Sequence, residues 1–234
     1  MISGQQLKII GHRGWPSRFP DNVLAGIAAA AEVCDMVEVD IRMTTDNALV
    51  LSHDPRLRGH LVAETSWADL ATLDLGEGHH PLTLMGLIEA LPGLSLNLEI
   101  KNFPGDAGFD PEHRLARMTA DLARPADLVT CFNWPTVDLL RSTHPEIATG
   151  LLVDDGWSLG DAVEHAAATG HRAVVPHWEL ALASPEAVGA AVAAGLMVVV
   201  WTLNDPVVAT KLAAAGVEAI ITDDPGEMRR ALRE

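Results

Sequence analysis

Short apolar runs alternate with longer stretches rich in Ala and Leu along this chain of 234 residues. Runs such as MVVVW and EAIIT are almost continuously apolar, which is typical of parallel strands buried on both faces. The alternation predicts an α/β fold, and the number of strands suits a closed (β/α)8 TIM barrel. The eight predicted strands are Leu7–Gly11, Met36–Ile41, Ser95–Lys101, Leu128–Phe132, Thr149–Val153, Ala173–Pro176, Met197–Thr202 and Ala219–Thr222.

Helical patterns fill the intervals between these strands. Asn22–Cys34 is the first, with Asp21 or Asn22 available as its N-cap. An open Rossmann-like sheet is the structural alternative, but no G-x-G-x-x-G motif follows the first strand. The later predicted helices, four of which begin with the proline that favours a first helical turn, are Pro135–Ser142, Ser158–Thr169, Pro185–Ala194, Pro206–Ala215 and Pro225–Arg233.

One segment departs from the alternation of strand and helix. Two β-rich runs between Arg42 and Ser52 are separated by Asp46 and Asn47, a pair typical of a hairpin turn. Because no helix intervenes, we expect the second run to be antiparallel to the first. Its end, at His53, then returns to the level of Asp40.

Size and charge limit the classes of function. About 200–250 residues suffice for one barrel, and no linker or repeat stands out, so we expect a single TIM-barrel domain over residues 1–234. The net charge of −16 disfavours nucleic acid as a partner. The apolar stretch 181–200 is broken by Pro185 and Gly195, which argues against membrane insertion. The N-terminal sequence lacks the pattern of a signal peptide, so a cytoplasmic protein is expected.

Carboxylates stand near the ends of two predicted strands. Glu38 and Asp40 are two positions apart, so both side chains point to the same face. Glu99 lies near the end of the next strand, in the sequence LNLEIK. Neighbouring carboxylates that lose solvation need a cation, and oxygen ligands suit Mg²⁺ or Ca²⁺. The alternative interpretation is that these are ion-paired residues at the rim.

Histidines and basic residues accompany the carboxylates. His12 and Arg13 follow the first strand, at the end of a barrel where catalytic residues lie. Arg13 is suited to bidentate phosphate binding, and His12 and His53 are candidates for an acid–base pair. Lys101 shares a face with Glu99 and is a candidate to neutralise a phosphate or to pair with a carboxylate.

These motifs together resemble the glycerophosphodiester phosphodiesterase family. They are HRG (12–14), DN (21–22), EVD (38–40), HD (53–54) and LEIK (98–101). The resemblance extends over nearly the whole chain, through CFN (131–133), VWTLN (200–204), GVEAIITDDP (216–225) and the helix in HPLTLMGLIEAL (80–91).

The resemblance implies a phospholipase-C-like barrel that converts a glycerophosphodiester to glycerol 3-phosphate and an alcohol. Its implied roles are a divalent metal site of Glu38, Asp40 and Glu99, a general acid and base from His12 and His53, and phosphate binding by Arg13 and Lys101. Trp201 ends a predicted strand and is a further candidate for substrate binding, with rim packing as the alternative.

Because of departures from the family pattern, the sequence does not predict the head-group preference. Asp21 stands where Glu is usual, Cys131 where Ser is usual, and the capping insertion is reduced to a small lobe around His60–His80 that we expect to shape the leaving-group pocket. Alternative functions are a lysophospholipase-D-type or cyclic-phosphate-forming enzyme, or a barrel that binds phosphoesters without catalysis. The expected partner is a small-molecule diester, and a homodimer stays open.

Overall fold

A computed structural model describes residues 6–233, and all eight predicted strands are present in it. Residues 1–5 lie outside the described residues. They belong to the N-terminal sequence in which no signal peptide was expected. The strands are β1 Lys8–Gly11, β2 Met36–Met43, β3 Leu49–Leu51, β4 Arg56–Leu57, β5 His60–Leu61, β6 Leu96–Ile100, β7 Leu128–Cys131, β8 Ala148–Val153, β9 Ala173–Pro176, β10 Met197–Val200 and β11 Ala219–Thr222.

The parallel sheet closes on itself. The strands follow the order β1-β11-β10-β9-β8-β7-β6-β2, and β1 also pairs with β2, at Ile10 with Met36 and Gly11 with Val37. Every one of these pairings is parallel. The predicted (β/α)8 TIM barrel is therefore confirmed, and the open-sheet alternative is wrong.

Helices follow the barrel strands, and the six helical stretches predicted from the pattern are present. The predicted N-cap of α1 is wrong: the cap is Val23, without a side-chain hydrogen bond, because Asp21 and Asn22 contact the groups of the site described below. The helices are α1 Leu24–Ala31, α2 Trp67–Leu70, α3 Leu84–Ala90, α4 Arg114–Leu122, α5 Trp134–Thr143, α6 Leu159–Thr169, α7 Trp178–Ala183, α8 Pro185–Ala193, α9 Pro206–Ala215 and α10 Pro225–Ala231.

Within residues 6–233, every helix falls short of the length and apolar character that a membrane crossing requires.

In β1 and in β7 to β11, alternate residues face two different apolar layers. Ile9 and Val198 belong to the larger layer, between the barrel and its helices, whereas Ile10 and Val199 belong to a smaller cluster inside the barrel. That inner cluster draws its buried residues from β1 and from β7 to β11, and none from β2 or β6. The interior of the barrel is therefore apolar on one side and is left to polar side chains on the side of β2 and β6.

The predicted hairpin follows β2. Met43 pairs with Leu49 and Ile41 with Leu51 in antiparallel register, and Asn47 in the turn has a φ of 64°. The backbone N–H of Ser52 then donates to Asp40 O at 3.0 Å, so the chain does return beside the end of β2. The segment that follows, with β4, β5 and α2, packs Val62 and Leu70 against Val50 on the hairpin.

Candidate active site

Three buried carboxylates meet at the carboxyl ends of β2 and β6. Asp40 and Glu99 are partners in the register of these two strands, and Glu38 is two residues before Asp40 on the same face. Only 1% of Glu38, 1% of Asp40 and 9% of Glu99 is exposed. One carboxylate oxygen from each lies within 4.8 Å of the other two. The polar side of the barrel interior thus concentrates negative charge at one point.

Two cations partly compensate this charge. Lys101 Nζ is 2.9 Å from Asp40 Oδ1 and forms a second ion pair with Glu99. Arg13 Nε is 3.2 Å from Asp40 Oδ2, and the backbone N–H of Arg13 donates to Glu38 Oε2 at 2.9 Å. When all three carboxylates are ionised, three negative charges against two positive ones leave the group with one net negative charge.

The carboxylates differ in how easily they ionise. Burial raises the pKa of Glu38 well above its usual range, and repulsion from Asp40 and Glu99 raises it further. Burial also raises the pKa of Asp40, but the charges of Lys101 and Arg13 outweigh it and leave the pKa below its ordinary value. For Lys101, burial lowers the pKa, and Glu99 and Asp40 more than reverse this, so the ammonium form is favoured.

Among the described residues, one carboxylate oxygen in the group has neither a hydrogen bond nor an ion-pair partner. Glu38 Oε1 is buried and unpaired, although Glu38 Oε2 accepts from the backbone of Arg13. A buried acceptor without a partner is costly. A hard divalent cation bound by Glu38, Asp40 and Glu99 would remove that cost, since oxygen ligands of this type suit Mg²⁺ and Ca²⁺. The donor set therefore fits the predicted metal.

The turn after β1 adopts an uncommon backbone conformation. Arg13 and Asn22 have φ values of 52° and 58°, and Gly14 has 95°. A Cβ on Gly14 would lie 2.8 Å from the backbone N of Ile27, so a side chain does not fit there. Asn22 Nδ2 donates to Asp40 Oδ2 at 2.9 Å. Positive φ at non-glycine residues costs about 1–3 kcal/mol each, and here it brings Arg13 and Asn22 to the same carboxylate.

Asp21 forms an ion pair with Arg13 despite being shorter than the glutamate of the family pattern. Arg13 Nη1 is 2.8 Å from Asp21 Oδ2, and 44% of the Asp21 side chain is exposed. Arg13 is thus held between a buried aspartate, Asp40, and an exposed one. This arrangement fixes the guanidinium at the edge of the carboxylate group.

His12 is held by an aspartate that follows the last strand. His12 Nδ1 lies 2.6 Å from Asp223 Oδ1, and Asn204 Nδ2 donates to Asp223 Oδ2 at 2.8 Å. The bond to His12 is the largest of the effects that lower the pKa of Asp223. Because Nδ1 is engaged, Nε2 is the ring nitrogen of His12 that remains for proton transfer. Sequence reasoning missed Asp223 and Asn204 as orienting residues, although both lie in segments that resemble the family.

His53 stands at the end of the hairpin. Its Nδ1 is 2.8 Å from Asp54 Oδ1, and its backbone oxygen accepts two hydrogen bonds from Arg42, at 2.8 and 3.0 Å. Arg42 in turn forms an ion pair with Asp106 at 2.7 Å. His53 also contributes to the low pKa of Asp40, so its ring is electrostatically coupled to the carboxylates. Arg42 is a third positioning residue that the sequence did not reveal, after Asp223 and Asn204.

A cavity of about 290 Å³ opens beside the carboxylates and is lined by Glu99, Lys101, His53, Phe132 and Trp201, among others. The predicted substrate-binding residue Trp201 is therefore on its wall. The indole N–H of Trp201 is occupied by the carbonyl of Val175 at 2.8 Å, and its ring contacts Phe132 edge-on with centroids 5.3 Å apart. Trp201 consequently offers an apolar ring to the cavity. A cavity of about 350 Å³, lined by Arg172 and Glu218 among others, contains none of the predicted catalytic, metal-binding or substrate-binding residues.

The small lobe around His60–His80 does not border this cavity. Asp54 and Pro55 border the cavity, but no residue of 60–80 lines it. The loop between β6 and α4 supplies Phe103 and Asp106 instead. The expectation that the lobe shapes the leaving-group pocket stays a prediction, and the apolar side chains of Val62 and Leu70 in the lobe pack on the hairpin.

Comparisons with known proteins match the chain, including these motifs, to one protein family. Residues 12–227 match the model of the glycerophosphoryl diester phosphodiesterase family. YhdW of Bacillus subtilis is 26% identical over 93% of this chain and 94% of its own length. A glycerophosphodiester phosphodiesterase of Caldanaerobacter subterraneus is 24% identical over 97% and 98% of the two chains. A solved structure of an Oleispira antarctica phosphodiesterase with its product sn-glycerol-3-phosphate superposes with a TM-score of 0.85, at 26% identity and 97% coverage of both chains.

Proposed function

Because the chain belongs to the glycerophosphoryl diester phosphodiesterase family, we propose that it hydrolyses glycerophosphodiesters to glycerol 3-phosphate and an alcohol. The predicted family and enzyme class are confirmed by the match over residues 12–227 and by relatives named for this activity. The observation that carries the proposed reaction is the convergence of the five motif segments at one end of the barrel, beside a cavity. Among the described residues, no separate contact favours a lysophospholipase-D-type enzyme, a cyclic-phosphate-forming enzyme or a non-catalytic barrel.

We propose that Glu38, Asp40 and Glu99 hold a divalent cation, Mg²⁺ or Ca²⁺. Support comes from their burial, from the closeness of their oxygens and from the lone oxygen of Glu38. Such a cation supplies a Lewis acid that neutralises phosphoryl oxygens and lowers the pKa of a bound hydroxyl. It also converts the net charge of the group from minus one to plus one. An anionic phosphodiester is then attracted locally, in spite of the acidic chain.

Arg13 and Lys101 complete the proposed phosphate site. Both lie at the edge of the carboxylate group, and Lys101 also lines the cavity. Their charges are favoured in place by Asp40, which both of them contact. The ring of Trp201 then provides an apolar wall for the carbon atoms of the substrate.

We propose that His12 and His53 divide proton transfer between them. In each ring Nδ1 is engaged by an aspartate, Asp223 or Asp54, so Nε2 is left to act. One Nε2 accepts a proton of the attacking water as its oxygen forms a bond to phosphorus, and the other N–H donates to the leaving alkoxide as the original P–O bond breaks. The ester oxygen thus departs as a neutral alcohol.

Glycerol 3-phosphate release from glycerophosphocholine and glycerophosphoethanolamine tests the proposed activity. We expect turnover with Mg²⁺ or Ca²⁺ and none in EDTA, with activity restored when the cation is added back. Absence of turnover on any glycerophosphodiester with every divalent cation tried would contradict the proposal. Detection of a cyclic phosphate as the only product would favour the alternative chemistry on the same barrel.

The leaving group can separate the roles of the two histidines. A p-nitrophenolate leaving group needs little protonation, so a variant that lacks the general acid should be rescued on glycerophospho-p-nitrophenol. We expect either His12→Ala or His53→Ala to lose about 10²–10⁴-fold on glycerophosphocholine and much less on the activated diester. The other variant should be equally impaired on both. Equal losses for both histidines on both substrates would contradict a division of acid and base.

A further inference from the structure

A second group of metal-ligand side chains lies in the outer layer of the barrel, between α5 and α6. Asp138 is on α5, His165 is on α6, and His171 is in the turn that leads from α6 to β9. His165 Nε2 is 3.0 and 3.1 Å from the two oxygens of Asp138, and His171 Nε2 is 2.8 Å from Asp138 Oδ1. One donor atom of each residue lies within 4.8 Å of the other two. Two imidazoles and one carboxylate therefore face a common point.

This group, the outer cluster, is separate from the candidate active site. Asp138 and His165 belong to helices outside the barrel, and His171 precedes β9, whereas the catalytic residues follow the ends of strands. None of the three lines the cavity beside Glu99 and Lys101. Whatever the outer cluster binds, it does not draw on the residues proposed for hydrolysis.

The orientation of His171 is fixed before any ion arrives. Its side chain is fully buried, and its Nδ1 lies 2.7 Å from the hydroxyl of Thr149, which is itself buried on β8. A hydroxyl both donates and accepts, so Thr149 suits either tautomer. A histidine that binds a metal through Nε2 commonly has Nδ1 held by such an outer partner.

The second imidazole is fixed by ring contacts. The ring of His165 lies between that of Trp134, with centroids 5.4 Å apart, and that of His171, at 6.2 Å. About one third of the side chains of His165 and Asp138 is exposed, which leaves a path for an ion and a water ligand. The outer cluster thus combines one buried ligand with two accessible ones.

The donor chemistry and spacing select the class of ion. Two imidazole nitrogens with one carboxylate suit a borderline-soft cation such as Zn²⁺, with a water as fourth ligand. Ligands about 2.0–2.2 Å from a tetrahedral ion are about 3.4 Å from one another. The imidazole nitrogens of His165 and His171 are 2.8–3.1 Å from carboxylate oxygens of Asp138, a few tenths of an ångström less than that spacing.

We propose that Asp138, His165 and His171 form a second cation site for Zn²⁺ or the chemically similar Co²⁺. The ion would connect α5 with α6 and with the turn that leads from α6 to β9. The competing account is a hydrogen-bonded triad, in which the Asp138 carboxylate accepts from both imidazoles and no metal is bound.

Co²⁺ binding to the full chain distinguishes the two accounts, with visible absorption of a four-coordinate ion as the readout and excess Mg²⁺ present for the carboxylates. We expect one Co²⁺ per chain with that spectrum, displaced by Zn²⁺. His165→Gln and Asp138→Asn, both partly exposed, should weaken Kd at least about 100-fold, and Thr149→Val about 10- to 100-fold. His144→Gln, a histidine outside the cluster, is the control and should bind like the wild type.

The outcomes separate this site from the proposed hydrolase. Wild-type protein that takes up no Co²⁺ with a four-coordinate spectrum would overturn the metal site. Equal Kd values for wild type and His165→Gln would do the same. Diester hydrolysis with Mg²⁺ should stay within about twofold of wild type in His165→Gln, because the outer cluster is remote from the cavity. The binding readout stands whether or not hydrolysis is detected.

Discussion

The two groups of metal-ligand side chains differ in what their donor atoms need. In the carboxylate group at the barrel mouth, three acids face two cations, and Glu38 Oε1 is buried with neither a hydrogen bond nor an ion pair to any described residue. In the outer cluster, Asp138 is a hydrogen-bond partner of both His165 and His171. The first arrangement is incomplete without a hard cation, whereas the second is satisfied as it stands and would exchange hydrogen bonds for metal bonds. An unsatisfied buried acceptor is thus the stronger sign of a functional site.

The largest expected difference between the two regions is in catalysis. Glu99→Gln keeps the shape of the side chain and removes one charge from the mouth, so we expect kcat/KM for glycerophosphocholine to fall by at least about 10³-fold, or about 4 kcal/mol. Asp138→Asn is the matched change in the outer cluster and should stay within about twofold. Steady-state kinetics with Mg²⁺ measure both. Similar losses of kcat/KM in Glu99→Gln and Asp138→Asn would contradict the functional distinction between the carboxylate group and the outer cluster.

Each region also contains a histidine bonded to an aspartate, which allows a second matched pair. We expect His12→Ala to lower kcat by about 10²–10⁴-fold, since Nε2 of His12 is proposed to transfer a proton. His165→Ala removes a ring of the same kind from the outer layer and should leave kcat unchanged. A kcat for His12→Ala close to that of the wild type would exclude the proposed proton transfer by this residue.

A pair of glycines compares the backbone strain in the two parts of the barrel. Gly14→Ala adds a Cβ 2.8 Å from the backbone of Ile27 at a φ of 95°, and we expect it to cost about 1–3 kcal/mol of unfolding free energy and to displace Arg13. Gly195→Ala has a φ of 75° but meets nothing within 4 Å, so only the smaller conformational cost applies. Urea unfolding measures both. A larger loss for Gly195→Ala would contradict the crowding at the mouth.

The smallest expected effect is on stability in acid. The hydrogen bond from His12 lowers the pKa of Asp223 in the folded state. This carboxylate therefore contributes stability above its unfolded pKa of about 3.9, and the contribution is lost as the pH falls through the folded value. Unfolding free energy measured between pH 5 and 3 should fall less steeply in Asp223→Asn. His12→Ala removes the donor and should reduce the slope in the same direction; an unchanged slope in both would refute the linkage.

The sequence was sufficient for the architecture because its signals are local. Each parallel strand is an apolar run buried on both faces, and Ala219–Thr222 and Ala173–Pro176 have the predicted bounds. The hairpin was predictable from the Asp46 and Asn47 turn and from the missing helix. The same reasoning placed Glu38, Asp40 and Glu99 together, since residues at the ends of adjacent parallel strands must be neighbours.

The remainder of the site depends on contacts that no local pattern encodes. Asp223 forms a hydrogen bond with His12, which is 211 positions away in the sequence. Arg42 donates to the backbone oxygen of His53 from a position within β2 that the sequence pattern indicates only as part of a strand. The N-cap of α1 was wrong for a related reason: Asn22 has the side chain of a cap, but Asp40 offers it a buried partner. The short length of the lobe around His60–His80 was predictable from the sequence, but the surface on which the lobe packs was not.

The hairpin holds the two ends of the segment that follows it close together. The segment between Asp54 and Thr83 leaves beside β2 and returns to the same place, since Val50 forms a bridge with Thr83 and the N–H of Leu51 donates to Leu82 O at 2.9 Å. Whatever is inserted between these anchors starts and ends at adjacent positions, so its length places no tension on Glu38 or Asp40. Loops of other sizes can therefore be accommodated here while β2 stays in register with β6.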